Sequence, residues 1–524
     1  MASTALPILP LYTRRPVEPS RLRRGVTLLL QLLLAAAYGF AAVALPPQMV
    51  FVLMVPVGVC LLIVLWLMPD RGVFPLKGIE RCYGFVLVLT IIWPSYIAVV
   101  LPGLPWMTPT RLAMFVLSIL FLYSVSTSSL LRHHLATCIR LSRPLWVCFL
   151  LWQASLFVSI PFSHDIGLTV KIVLNDLLRF TEMLFLGCLI FSRRGVATRS
   201  IAIILFLAVL CGIDGFVENH LEMPPWANHI PSFLRIDDAT LANVLGSQAR
   251  SADGLYRVRG PFSVSLLFAE FLALCMPFVI HWFLTGRSLL LRLAMVPLGV
   301  FLIATILITH SRLGLVGTLV AIGTYVPLWG FRQWRAKTTS IIGPAMLIGA
   351  PLAAIGLVGL ILSSHTLTTK VFGGGAQQAS TEARAEQVRL AVPKILSNPI
   401  GHGRGTSGTV IGFVNPAGYI TVDNHYLTTL VDIGVLGAIG FYGVFAAGGV
   451  MGSRVYLKTK DRENELAGPL ASVCAVFLVT KLVLSEENNH SLALLLLAML
   501  LALVARDRGL VDADTPLPLL ARRR

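Results

Sequence analysis

Residues 380–405 read STEARAEQVRLAVPKILSNPIGHGRG, and residues 421–434 read TVDNHYLTTLVDIG; between them lie fifteen residues rich in Gly, Thr and Val. The whole run from Ser380 to Gly434 is a polar insert in a very apolar chain. Mean hydropathy is +0.80, 56% of residues are hydrophobic and 13% are charged. A soluble chain carries about a quarter charged residues. Apolar runs of about 20 residues recur along the length, as membrane helices require. The expected fold is therefore all-α, a polytopic transmembrane helix bundle with a partly helical loop on one side.

Fourteen spans are expected, at 25–45, 48–68, 83–101, 111–129, 144–162, 171–191, 200–217, 262–283, 290–309, 313–330, 340–362, 425–450, 466–485 and 489–505. Lys and Arg then gather on alternate loops. The N-tail holds Arg14, Arg15, Arg21, Arg23 and Arg24. Later loops on that side hold Arg71, Lys77, Arg81, Arg132, Arg140, Arg143, Arg193, Arg194, Arg199, Arg287, Arg292, Arg332, Arg335, Lys337, Arg454, Lys458, Lys460 and Arg462. The C-tail holds Arg506, Arg508 and Arg522 to Arg524. These are 28 of the 42 basic residues. The positive-inside rule places those loops and both termini in the cytoplasm. The net charge of +17 is thus read as membrane topology, and no nucleic-acid partner is expected.

The resulting division is a cytoplasmic tail 1–24, N-terminal helices 25–217, an outer loop 218–261, helices 262–362, a large outer loop 363–424, helices 425–505 and a cytoplasmic tail 506–524. The first span is too long for a signal-peptide core and is expected to stay as an anchor. The eight cysteines lie in spans or at their cytoplasmic ends. None belongs to a CxxC, so neither a disulfide framework nor a thiolate metal site is expected. Gly373 to Gly375 reads as a flexible joint, since no GK[ST] follows.

The large outer loop holds one helix, with Ser380 as its cap and Glu382 in its first turn. At about 100° per residue Arg384 shares a stripe with Val388, Ala391 and Ile395, whereas Arg389 lies off it. An arginine on a packing face needs an anion, a carboxylate or backbone carbonyls. Pro393 should kink or end the helix. A second candidate is His310-Ser311-Arg312, at the outer end of two spans; a snorkelling arginine is the plainer reading. A third is Asp423-Asn424-His425-Tyr426. There a carboxylate beside an imidazole can supply a base, or Asp423 can cap the next span. Arg257 and Arg259 stand on the outer face, where the positive-inside rule disfavours them. The sixth span carries Lys171, Asn175, Asp176, Arg179 and Glu182; Asp176 and Arg179 can pair with each other. Several arginines at one membrane-level site suit a lipid-borne diphosphate. No acidic pair on that face is spaced for a metal, so arginine would neutralise the leaving charge.

These segments resemble the bacterial O-antigen ligase and polysaccharide polymerase superfamily. RVRGPFSVSLLFAEFLALCMP (257–277) is similar to its R-x-x-G-x-F stretch, and THSRLGLVG (309–317) to its S-R hairpin. The third pattern matches at Arg384, Pro399, Gly401 to Gly403, Asn424, Leu427, Leu430, Asp432 and Gly434. In ligases His precedes the Asn; here Asp423 does and His425 follows, a form closer to polymerases. The resemblance implies a C-type glycosyltransferase fold and an undecaprenyl-diphosphate-linked oligosaccharide as donor. The site would face the periplasm of the inner membrane, without cofactor or metal. Arg312 and Arg384 would hold the diphosphate, and Asp423 or His425 would act on the acceptor. Arg257, Arg259, Arg389, Arg404, Asn424 and Tyr426 are expected to bind substrate. Expected partners are the lipid-linked glycan, membrane lipid and the export and chain-length proteins of polysaccharide assembly. The alternatives are a ligase transferring glycan to the lipid A core of lipopolysaccharide, a lipid-linked sugar flippase, and a non-catalytic partner in an export complex. Transporters tend to carry inverted repeats, and no repeat is visible.

Overall fold

A computed structural model describes residues 75–100, 106–234, 254–336, 378–415 and 418–511, with isolated positions elsewhere. The chain divides into two units, Met1–Leu67 with Val100–Trp106, and Met68–Val99 with Met107–Arg524. The second holds α-helices from Leu76 to Asp507. The expected spans 25–45, 48–68 and 340–362, the basic N-tail and the end of the C-tail lie outside the described residues.

The helices are α1 (Leu76–Ile92), α2 (Pro109–Thr127), α3 (Ser129–Ile139), α4 (Arg143–Val158), α5 (Ile166–Asp176), α6 (Glu182–Ile190) and α7 (Val196–Leu221). They continue as α8 (Ser265–Thr285), α9 (Leu289–Ile308), α10 (Arg312–Ala336), α11 (Gln378–Ser397), α12 (Ser407–Ile411), α13 (His425–Tyr456), α14 (Ala467–Thr480) and α15 (His490–Asp507). Their starts follow local chemistry. Thr108 accepts from the Arg111 N–H and Pro109 opens α2. Ser142, Asp165 and Ser288 cap α4, α5 and α9 in the same way. Such caps satisfy amides that the first turn leaves without partners.

Among the described residues seven helices are long and apolar enough to cross a membrane, or eight if the bent pair α3 and α4 is one span. The chain is thus an all-α, multi-pass membrane protein. Four expected spans differ in form, the one at 425–450 by a break at Gly434. The span at 83–101 is instead α1, which starts at Leu76 and ends at Ile92, just before Pro94. The span at 171–191 is interrupted by a π-helical turn, Leu177–Thr181, between α5 and α6. The span at 466–485 stops as a helix at Thr480, where Lys481 and a polar hairpin begin.

Every residue of α15 from His490 to Ala505 is buried. A helix apolar all round belongs inside a bundle. Helix α13 packs on α4, α14 and α15. Close approach to α4 depends on Gly440, where an added Cβ would lie 2.4 Å from the Trp152 nitrogen; small residues at such contacts are typical of membrane helices. By contrast α9 exposes Leu289, Leu290, Leu293 and Val300, as a lipid-facing helix does.

Candidate functional site

The polar insert folds around a break in α13. Gly434 adopts φ 75° and ψ −179° inside the helix, a region open essentially to glycine alone. The break frees backbone groups, and the insert takes them up. The Val431 carbonyl accepts from the His402 N–H at 2.8 Å, and the Asp432 carbonyl from Gly403 at 3.0 Å. The Val435 N–H donates to the Pro399 carbonyl at 2.9 Å. Gly401 has φ +106°, and a Cβ there would meet the Asp432 oxygen at 2.6 Å. The Pro-x-Gly-x-Gly turn is therefore the piece that mends α13.

Arg404 leaves this turn and is buried. Its Nε donates to Asp176 Oδ2 at 2.7 Å, Nη1 to Asp432 Oδ2 at 2.9 Å and Nη2 to Glu487. The Asp432 carboxylate also accepts from the Gly405 and Ser407 amides. Burial alone lowers a guanidinium's proton affinity; the three carboxylates outweigh it, and Arg404 sits well above its ordinary value. Glu487 is pushed up by burial but held well below the usual carboxylate range by Arg404 and by His425. Arg404, expected to bind substrate, is placed here as the hub of an internal ion network. Asp176, expected beside Arg179, pairs with Arg404 instead.

His425 joins the same network. Its Nε2 lies 3.2 Å from Glu487 Oε1 and its Nδ1 2.6 Å from the Tyr442 hydroxyl. It is 3% exposed. Beside it a cavity of about 20 Å³ is lined by Asp176, Arg404, Thr429 and His490, room for about one water. His425, Glu487 and His490 bring three metal-capable atoms within 4.8 Å of one another. Glu487 is already bonded to Arg404, whose positive charge opposes a cation there. Tyr426 stacks on Tyr442 with centroids 3.9 Å apart and donates to the Leu478 carbonyl.

Asp423 stands on the other side of Asn424. Asn424 is the cap of α13, accepting from the Tyr426 and Leu427 amides at 2.8 and 3.4 Å, so Asp423 is not needed for that task. Its carboxylate is 40% exposed and lies 3.8 Å from Arg384 Nε. Its amide donates to Gln387 Oε1 at 2.9 Å. Helix α11 lies across the start of α13 through Ala391, Leu427, Val431 and Ile411. Its inward stripe is Arg384, Gln387, Ala391 and Ile395; Val388 is exposed, because the stripe drifts toward Gln387. The helix starts at Gln378, two residues before the expected cap Ser380, and runs through Pro393 to Ser397 without ending there. Arg389 points outward and pairs with Glu386 at 2.6 Å.

Arg312 opens α10 after His310, whose φ is +46°. Arg312 lies within range of the Arg384 charge, and Arg257 within range of Arg312. The segment before α8 is tied to the end of α9 by Val258 N–H to the Ile308 carbonyl. Burial first, and then Arg312, push the Arg257 guanidinium below its ordinary value, and its Nε is buried without a hydrogen bond. Arg257, Arg312 and Arg384 thus form a series in which each feels the charge of the next, and Arg384 reaches Asp423. Arg259 goes elsewhere: it is 4% exposed, 3.6 Å from Glu218, a fully buried carboxylate that also accepts from Tyr256 and from the Gly260 amide.

The sequence reading missed Glu487, His490, Glu218 and the fully buried pair Glu270–Lys481. Lys481 Nζ meets Glu270 Oε1 at 3.1 Å, and Thr480 and Asn489 complete that carboxylate's partners. A signal was present, since Glu270 and Lys481 fall inside expected spans, where a charge asks for a partner. No curated protein matches the chain. Residues 297–442 match the family described as O-antigen ligase. These 146 of 524 residues carry Arg312, Arg384, the glycine turn, Asp423 and His425, and over this stretch the match supports the likeness to the O-antigen ligase and polysaccharide polymerase superfamily.

Proposed function

We propose that the protein is a polymerase of O-antigen or exopolysaccharide. It transfers a glycan from undecaprenyl diphosphate to the non-reducing end of another lipid-linked repeat unit, at the periplasmic face of the inner membrane. The observation that carries this reading is the series Arg257, Arg312 and Arg384, each within range of the next one's charge, which ends at the half-exposed Asp423. The acceptor hydroxyl oxygen bonds to the anomeric carbon, and the bond from that carbon to the diphosphate oxygen breaks. The electron pair leaves with the diphosphate, and the hydroxyl proton passes to the base. Guanidinium groups bind phosphate oxygens in pairs and stabilise the charge that develops on the leaving group.

Asp423 suits the base better than His425. Both ring nitrogens of His425 have partners and the ring is buried, whereas Asp423 is open to an acceptor. Release of Arg384 onto the diphosphate would also free Asp423 from its ion pair. The Asp-Asn order at 423–424, closer to polymerases than to ligases, favours lipid-linked repeat as acceptor. The test is reconstitution of the purified protein with a lipid-linked repeat unit. A ladder of longer glycans is expected. Product only on addition of lipid A core would make it a ligase, and no product with either acceptor would overturn the reading.

A further inference from the structure

Helices α10 and α13 both pack on α14. Their last turns stand at the end of the bundle that the positive-inside rule assigns to the cytoplasm. A cavity of about 570 Å³ lies there, lined by Arg332, Arg335, Lys458, Thr459, Lys460 and Glu465 among others. That volume is within the usual range of a small-molecule site.

One wall of the cavity is fixed. Arg332 Nη2 donates to the Thr459 carbonyl at 3.1 Å and to Glu465 Oε1 at 2.9 Å. Its guanidinium lies 4.6 Å from the centre of the Tyr456 ring. The Tyr456 hydroxyl is 3.1 Å from that of Tyr325, which in turn meets His281 Nδ1. This chain joins α8, α10 and α13, and it holds Arg332 and Glu465 in place. The bond to Thr459 also sets the end of α10 against the segment that carries Lys458 and Lys460.

The rest of the lining is charged and unused. Arg332 and Glu465 neutralise each other, which leaves Arg335, Lys458 and Lys460. All three are exposed, and none has a hydrogen-bond or ion-pair partner among the described residues. The plainer reading is topology: cations belong on this face, and Lys458 and Lys460 suit the negative end of α13. That accounts for cations at a surface. It does not account for three of them, from two helices, around one ligand-sized volume, where like charges repel unless an anion joins them. Arg335 brings a fork that matches phosphate oxygens, and the lysines bring point charges. Trp334, beside Arg335, is 41% exposed; indoles gather at the headgroup level, and basic pockets between helices on this side hold phospholipid headgroups.

We propose that this cavity is a binding site for a phosphate-bearing anion. It lies at the opposite ends of α10 and α13 from Arg312 and Asp423, and it does not depend on the reaction proposed above.

The test titrates the purified full-length protein with phosphatidylglycerol and, separately, with inorganic pyrophosphate. Native mass spectrometry counts what each chain keeps after exchange from about 0.15 M salt, which screens diffuse surface charge beyond roughly 8 Å. The wild type should keep one equivalent that Arg335→Gln/Lys458→Gln/Lys460→Gln loses. Lys460→Glu alone should lose it too. Lys77→Gln/Arg81→Gln/Arg287→Gln removes three exposed basic residues outside the cavity and should keep it. All these side chains are exposed, so the variants should unfold at the wild-type temperature. If the equivalent is phosphatidylglycerol, the phosphate is a lipid headgroup's; if it is pyrophosphate alone, the ligand is a soluble phosphate. A wild type that keeps no more of either probe than the cavity variants overturns the site. Equal loss from the cavity variants and from the variant outside the cavity does so as well, since it would mean diffuse attraction to a basic surface.

Discussion

Arg384 Nε meets Asp423 Oδ2 at 3.8 Å, across the junction where α11 lies on the start of α13. The distance is long for a hydrogen bond, and Arg384 Nε has none. The junction also has ties of its own, through the Asp423 amide, which donates to Gln387 Oε1 at 2.9 Å, and through Ala391 packed on Leu427 and Val431. An anion can therefore draw Arg384 away without dismantling the helix contact.

Arg384→Ala should lower turnover by roughly 10²–10³, the usual loss for one charge-stabilising contact. Arg384→Lys should fail almost as badly, because a point charge does not replace a bidentate fork. Arg389→Ala should be mild, since Arg389 is 75% exposed and pairs only with Glu386. Polymer yield with inserted, folded variants measures all three. An unchanged yield for Arg384→Ala would make Arg384 a structural partner of Asp423.

The Arg404 network should carry stability rather than chemistry. Arg404→Met leaves the buried Asp176 and Asp432 and the partly buried Glu487 without their shared counter-charge, and breaking a buried pair costs about 3–5 kcal/mol. A large drop in unfolding temperature in detergent is expected. The pH sign follows from Glu487, whose folded pKa is depressed by Arg404 and His425 against burial. Its contribution is fully present above the unfolded carboxylate value of about 4.3 and is lost as pH falls through the lower folded value. The unfolding temperature should thus be level from neutral pH to about 5 in this respect and fall in stronger acid; Glu487→Gln should flatten that fall. Wild-type and variant curves that run parallel would contradict the assignment.

Gly434→Ala should disrupt the insert more than any surface change. The new Cβ would lie 2.3 Å from the Pro399 oxygen, and the backbone conformation excludes a side chain. Faster proteolysis of 380–424 is expected with α13 still inserted. Normal protease resistance would mean that α13 can straighten without the insert.

Activity should survive excess EDTA, because the leaving charge meets arginine. Chelation that stops turnover, restored by a divalent ion, would redirect attention to His425, Glu487 and His490, whose ligand atoms converge.

The sequence exposes the parts that depend on local periodicity and loses those that depend on distant pairing. Arg384 was legible because its stripe repeats within four turns of one helix. The outward place of Arg389 followed from the same angle. The fate of Arg404 was not legible, because Asp176 and Glu487 lie 228 and 83 residues away along the chain and only the bundle brings them together. The role of the glycine turn was hidden for a related reason: nothing before Gly434 announces that α13 breaks there and needs the Pro399 carbonyl. Lys481 and Glu270 were the missed opportunity, two opposite charges inside apolar spans.

The assignment of Asp423 as the base is tested most directly by single-turnover transfer from a lipid-linked donor to a lipid-linked acceptor, with Asp423→Asn and His425→Ala compared at equal donor occupancy. The account predicts that Asp423→Asn binds donor as the wild type does but loses transfer by about 10²–10⁴, while His425→Ala retains transfer in proportion to its folded fraction. Wild-type transfer by Asp423→Asn, with loss confined to His425→Ala, would contradict it.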